Sequence, residues 1–362
     1  MAMLIQTRRD PLDVPVPREM TALVKAAAGP GLVKRTVPVP SLGPSDVLIR
    51  VRKAGICGTD NHIYTWDQWA QRRILPPLIV GHEFMGVVAA VGEAVTSVRA
   101  GDRVSAEGHI SCGDCLMCRT GEAHICERVK IIGVDIDGAF ANYIKMPALN
   151  VWKLDEAIPD DFAAIFDPLG NAVHTVMAAG VSTKSVVITG VGSIGLMAIP
   201  VARAAGAAAV YAIDVNPKKL ELAERVGADA VFHAADPNLI DEIRRLTNGD
   251  GADVLLEMSG NGTAIDAGLH MLRNGGRAAL LGIPSDDVKI NLAERIIFKG
   301  LTVLGINGRK MFETWYQTQA LVKSGRVDLR PIITHVVPLD DFENAFASMQ
   351  SGEAAKIVMS LE

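Results

Sequence analysis

From Ser185 to Ile283 the chain alternates short β-branched runs with helical ones: SVVITG, Ser193 to Ala205, AAVYAID, Pro217 to Val226, DAVFHA, LIDEIRRLT, ADVLLEM, Thr263 to Leu272 and RAALLGI. Strands separated by helices cannot pair as hairpins. Each return crosses over a face of the sheet, and right-handed crossovers cover both faces. This alternation makes this part of the chain an α/β unit with a doubly wound parallel sheet. Its first turn, VVITGVGSIG, carries Gly190, Gly192 and Gly195, and Asp214 closes the next strand nineteen residues after Gly195. A lone G-x-G-x-x-G is weak evidence; here it follows a strand, opens a helix and is trailed by an acid at the expected distance. The glycines admit a pyrophosphate to the helix N-terminus, and the acid accepts from ribose hydroxyls. A carboxylate at Asp214 also repels a 2′-phosphate, which favours NAD over NADP. The competing reading is a tight turn that binds nothing.

Before about Asn171 the texture differs. Short β-branched runs such as DVLIRVRKAGI, FMGVVAAVG and FANYIKM lie between turn signals, which reads as an all-β unit. After GLTVLGI come a helix, MFETWYQTQALVKSG, and a β/α tail ending KIVMSLE, assigned back to the first unit. The expected division is therefore 1–170 with 312–362, and 171–311 between them. The chain has 362 residues, 49% of them apolar, enough for sizeable cores. A net charge of −5 and the lack of any Lys/Arg block argue against nucleic-acid or anionic-membrane partners, leaving a small molecule. The N-terminus lacks the apolar run of a signal peptide, and Ser185 to Ala202 is broken by glycines and Pro200, so a cytoplasmic protein without a membrane span is expected.

In that compartment five cysteines stay reduced. Four of them, Cys112, Cys115, Cys118 and Cys126, follow a C-x2-C-x2-C-x7-C spacing. Such a loop can close a tetrahedral structural Zn²⁺ site; the alternatives are four free thiols or an iron–sulfur cluster. The fifth, Cys57, lies in AGICGTDNH, and His82 and Glu83 follow in VGHEFMG. One thiolate, one imidazole and a carboxylate or water make an open catalytic zinc site on which an alcohol loses its proton easily. Taken singly, Cys57 and His82 also read as ordinary core residues.

From Met20 onward these features together resemble the zinc-dependent medium-chain alcohol dehydrogenases. GICGTDNHIYTWDQW, AEGHISCGDC, AAIFDPLGNAVHT, LEMSG, GRKMFETWY and PIITH are similar to motifs of the bacterial branch that oxidises the β-hydroxyl of L-threonine, and several are absent from sorbitol or butanediol relatives. The resemblance implies a GroES-like, mostly β catalytic domain beside a Rossmann domain. It also implies NAD and two Zn²⁺ per subunit, one catalytic and one structural, and a homotetramer that makes 2-amino-3-oxobutanoate. Residues 1–19 lie outside it and are expected to form a disordered extension or an upstream start.

Carried over motif by motif, the resemblance makes Cys57, His82 and Glu83 catalytic-zinc ligands and Asp167 an acid close to the metal. Thr59 and His62 become a hydroxyl-to-imidazole proton relay, and Asp60 orients His82. On the cofactor side Ile194, Asp214, Lys219, Leu281, Gly282, Ile283, Ile306 and Asn307 are implied contacts, with Lys219 and Asn307 departing from the usual arginine and aromatic residue. Because threonine is a zwitterion, Arg309 and His109 are candidates for its carboxylate. Local readings compete: Thr59 as a turn hydroxyl, Asp167 as a cap before Pro168, Arg309 facing solvent and His109 as loop structure. Two other functions stand beside this one, a polyol or secondary-alcohol dehydrogenase and a catalytically dead NAD-binding protein. The intact Cys57, His82 and Glu83 argue against the second.

Overall fold

The computed structural model describes residues 16–362. Two sheets dominate it. The first has seven strands and is built around Asp46–Ile56, which pairs antiparallel with Glu83–Val91, Tyr143–Pro147 and Lys356–Ser360. The last of these, with its parallel neighbour Ile333–Pro338, carries the end of the chain back onto the β unit. The second sheet has six strands, all parallel, in the spatial order 3-2-1-4-5-6 counted from Ser185–Thr189. That order reverses direction between Ser185–Thr189 and Ala252–Glu257, and ligands bind such folds at the strand ends beside the reversal.

The all-β expectation for the first unit misses several short helices, among them Gly58–Thr65 and Gln68–Arg73. The second is nucleated by a cap that local composition hides, Asp67 accepting from the Ala70 N–H. The expected boundary at 170/171 falls inside a helix, Phe166–Ala179, which ends on Gly180 at φ 67°. This junction helix buries residues on nearly every side because it packs against both Ser193–Ala204 and Glu313–Lys323. One continuous apolar core follows from it, taking in Met85 and Val358 of the first sheet and Val186, Ile188 and Leu256 of the second. Of the N-terminal segment, residues 1–15 lie outside the described residues; Arg18 is held by the Val39 N–H, and the first strand begins at Glu19.

Candidate active site and cofactor cleft

Register brings the first cluster together. Gly55 stands opposite Glu83 in the antiparallel ladder, so Cys57, just past one strand, meets His82, just before the other. Cys57 Sγ lies 3.1 Å from His82 Nε2. A Cβ at position 55 would sit 2.2 Å from Glu83 Oε2, so glycine is required for that carboxylate to enter. The donor atoms of Cys57, His82 and Glu83 all lie within 4.8 Å of one another. Asp60 Oδ1 and His82 Nδ1 are 3.7 Å apart, and both are buried atoms without a hydrogen-bond partner among the described residues. Buried Lys356 bonds the Ile56 carbonyl at 2.8 Å and pairs with Glu83 Oε2 at 2.5 Å. Burial and the Asp60 charge push the Cys57 thiol up. A trio of half-buried thiol, half-buried imidazole and buried carboxylate suits Zn²⁺, whose charge would offset that rise.

Thr59 and His62 share the helix that Cys57 caps. His62 is half-exposed, and its Nδ1 lies 2.5 Å from Asp67 Oδ2. Asp67 can only accept, so Nδ1 carries the proton and Nε2 is left as an acceptor.

The Arg309 reading needs correction. Arg309 is buried, with 2% of its surface exposed, and its guanidinium is already committed. Nε donates to Glu107 Oε2 at 3.0 Å and Nη2 to Glu107 Oε1 at 2.5 Å, while Nη1 pairs with Asp167 Oδ2 at 2.5 Å. Its stem crosses Gly170, where a Cβ would stand 2.6 Å from Arg309 Cδ. A substrate carboxylate would have to displace two internal ones. Sequence reasoning missed the reason, Glu107, whose carboxylate also accepts from Trp315 Nε1 at 2.8 Å and the His109 N–H at 2.9 Å. Burial alone would raise Glu107, but the Arg309 charge outweighs it and holds the carboxyl far below its usual range. A carboxylate ringed by so many donors has no local sequence signal, because its partners lie up to 208 residues away.

In the second sheet Gly190 takes φ 84° at the tight turn, and a Cβ at Gly195 would sit 2.1 Å from the Gly190 carbonyl. Gly192 faces open space at the N-terminus of Ser193–Ala204, where an anion meets free N–H groups. Asp214 ends its strand and bonds the Val191 N–H at 2.7 Å and the Asn216 N–H at 2.9 Å, which fixes the carboxylate against the glycine loop. Ile194 within this loop and Lys219 on the helix Pro217–Arg225 after Asp214 are half-buried; Leu281 and Gly282 are also half-buried, and Ile283 is 88% exposed. The backbone of Gly260 packs on both Gly282 and Ile283. Ile306 donates its N–H to Leu280 O at 2.9 Å, and exposed Asn307 follows it. Buried Glu257 went unnoticed in the sequence. Its carboxylate accepts from the Ser259 N–H at 2.8 Å and the Gly260 N–H at 3.1 Å, which fixes the turn that packs on Gly190.

The four remaining thiols form their own cluster, with Sγ–Sγ distances from 3.5 to 3.9 Å. N–H groups of Cys118 and Glu127 lower the Cys115 thiol to about 6. Burial pushes the Cys118 thiol the other way, up to about 11, and four sulfurs at this spacing suit a closed tetrahedral metal site.

Two family descriptions match the chain: the alcohol dehydrogenase GroES-like domain over residues 43–156 and zinc-binding dehydrogenase over 193–324. The chain belongs to the zinc-binding, medium-chain alcohol dehydrogenase family. Among its relatives, the L-threonine 3-dehydrogenase of Symbiobacterium thermophilum is 49% identical over 94% of this chain and 97% of its own length. The alcohol dehydrogenase TADH from Thermus sp. ATN1 superposes with a TM-score of 0.87 at 32% identity, over 94% of this chain and 99% of its own. A zinc-binding dehydrogenase from Sinorhizobium meliloti 1021 bound to NADP gives 0.87 at 28% identity, with the same coverage. The protein is thus an oxidoreductase that works with zinc and a nicotinamide cofactor. No helix among the described residues is long and apolar enough to cross a membrane.

Proposed function

We propose that the chain oxidises the β-hydroxyl of L-threonine with NAD to L-2-amino-3-oxobutanoate, the first step of threonine breakdown to glycine. The reading includes two Zn²⁺ per subunit, a cytoplasmic homotetramer, a catalytic unit of 1–170 with 312–362 and a cofactor unit of 171–311. The observation that carries it is the convergence of Cys57, His82 and Glu83, with their donor atoms within 4.8 Å of one another, in a chain about half identical to named L-threonine 3-dehydrogenases.

Cys57, His82 and Glu83 hold the catalytic Zn²⁺, which supplies a Lewis acid that makes an alcohol proton easier to lose. The chain's own residues then do the rest. Asp60 steers the His82 ring, and Asp167, held by Arg309, keeps a carboxylate beside the reacting hydroxyl. Thr59 passes the proton to His62 Nε2, and the exposed ring releases it to water. Asp214 takes the ribose hydroxyls, Gly192 leaves room for the pyrophosphate, and Cys112, Cys115, Cys118 and Cys126 hold the structural Zn²⁺. Ile194, Lys219, Leu281, Gly282, Ile283, Ile306 and Asn307 line the remaining cofactor contacts.

One observation favours the second reading, a polyol or secondary-alcohol dehydrogenase: the internal commitment of Arg309 removes one cation that a zwitterion would need. NADH formation by zinc-loaded protein, measured over a panel of L-threonine, L-serine, 2,3-butanediol and sorbitol, separates the two. L-Threonine is expected to have the highest kcat/KM by at least ~10-fold, the scale of a lost charge-assisted contact. Faster turnover of a neutral diol would replace the threonine reading.

A further inference from the structure

With Arg309 taken up internally, His109 remains for the carboxylate end of the substrate, and its hydrogen-bonding face depends on which ring nitrogen carries the proton. His109 Nδ1 lies 2.7 Å from Arg309 Nη2 and 2.9 Å from Glu107 Oε1. Arginine can only donate and a carboxylate can only accept, so these neighbours ask for opposite tautomers. The donor and acceptor count decides between them. Glu107 already receives four N–H groups: Arg309 Nε and Nη2, Trp315 Nε1 and the His109 backbone. Those four fill the lone pairs of a carboxylate. Arg309 spends Nε–H and one Nη2–H on Glu107, and its Nη1 group on Asp167. Its second Nη2–H then has one acceptor left, His109 Nδ1. The opposite tautomer would set an N–H against an N–H at 2.7 Å, and would leave a buried guanidinium donor unmet, at a cost of more than a typical hydrogen bond.

We infer that Arg309, itself clamped by Glu107, is a positioning residue that holds His109 as the Nε2–H tautomer, so that His109 offers a donor to the substrate's carboxylate and no acceptor to its ammonium. Nε2 has no hydrogen-bond partner among the described residues, and it stands beside Gly308, where a Cβ would lie 3.9 Å from it. Gly308 directly follows Asn307, on the loop assigned to the cofactor. The inference rests on the threonine reading for the identity of the acceptor, but not for the tautomer.

The test uses zinc-loaded full-length protein labelled with ¹⁵N-histidine, the His109 signals being those lost in His109→Leu. Long-range ¹H–¹⁵N spectra at pH 8 are expected to show a protonated Nε2 and a bare Nδ1. In Arg309→Met the pattern should invert as Nδ1–H turns to Glu107; should that variant fail to fold, the wild-type spectrum decides alone. A wild-type Nδ1–H tautomer, or an Arg309→Met spectrum unchanged from it, overturns the inference. In kinetics, His109→Gln, whose amide can still place an N–H near Nε2, is expected to keep the threonine-to-butanediol selectivity within ~3-fold, while His109→Leu drops it by ~10-fold or more, mostly through KM. Equal loss of selectivity in both variants overturns the donor role. Absence of threonine turnover in the wild type rejects the substrate reading and leaves the spectrum to judge the tautomer.

Discussion

At the scale of single residues, buried charge in this molecule is met in two ways. Glu107, Arg309, Glu83 and Lys356 are ionic groups with ionic partners. Lys25 is different. Its ammonium is buried, bonds the Gly29 and Gly31 carbonyls and lies 4.8 Å from the Trp66 ring centre, with no carboxylate paired to it among the described residues. Burial therefore pulls it down from 10.5 to about 8. Between those values the unfolded chain binds the proton more readily than the folded one, so this group makes stability rise with pH across that window. Below pH 8 both states are protonated and the contribution is flat. Denaturant unfolding at pH 8, 9 and 10 should show wild type gaining stability relative to Lys25→Met as pH rises; a constant difference would mean that the ammonium titrates normally. The residues with a covalent or metal vocabulary, Cys57, His82 and the four-cysteine set, were legible in the sequence because their chemistry restricts which neighbours they tolerate. Glu107 was not, since an acid in AEGHISCG looks like any surface acid until Arg309 and Trp315 arrive from about 200 residues away.

At the scale of elements, the glycine loop separates binding from folding. Gly192→Ala adds a methyl to open space at the helix N-terminus, and Gly195→Ala drives one into the Gly190 carbonyl. The first variant should melt within a degree or two of wild type while its Kd for NAD, read by fluorescence titration, rises by ~10-fold or more, because the backbone must approach the phosphates closely. The second should lose stability by about 1–3 kcal/mol, the usual scale of overpacking, before cofactor is considered. Equal melting temperatures for the two would contradict the cradle geometry. The cysteine lobe makes a separate prediction. Cys112→Ser should lower zinc content by about one metal per chain and open residues 112–126 to limited proteolysis, since metal binding supplies the local folding energy in so small a loop. The lobe is also tied to the site, because His109 opens the His109–Ile110 strand that pairs with Lys130–Ile131. KM for L-threonine is therefore expected to rise in the variant more than KM for NAD, and an unchanged KM would show that the lobe's base is held without its metal.

At the scale of the whole molecule, the junction helix Phe166–Ala179 makes the two sheets share one core. Leu169 is fully buried within it. Leu169→Ala should cost about 2–5 kcal/mol and move both halves together, so that tryptophan fluorescence and NADH binding lose signal at the same denaturant concentration. A variant in which NADH binding survives the fluorescence change would show that the halves unfold separately. Local pattern was sufficient for the alternating strands and helices, the glycine turn with Asp214 and the spacing of the four cysteines, because each is a property of residues close in sequence. The reversal in strand order, the return of Lys356–Ser360 to the first sheet and the helix running through position 170 depend on which surfaces cover one another. The same holds for the substrate end of the site. A basic residue in GINGRKMFETW reads as free to meet a carboxylate, yet Arg309 is taken by Glu107 and Asp167, because a buried cation must find its counter-charge within the fold and only packing brings those acids to it.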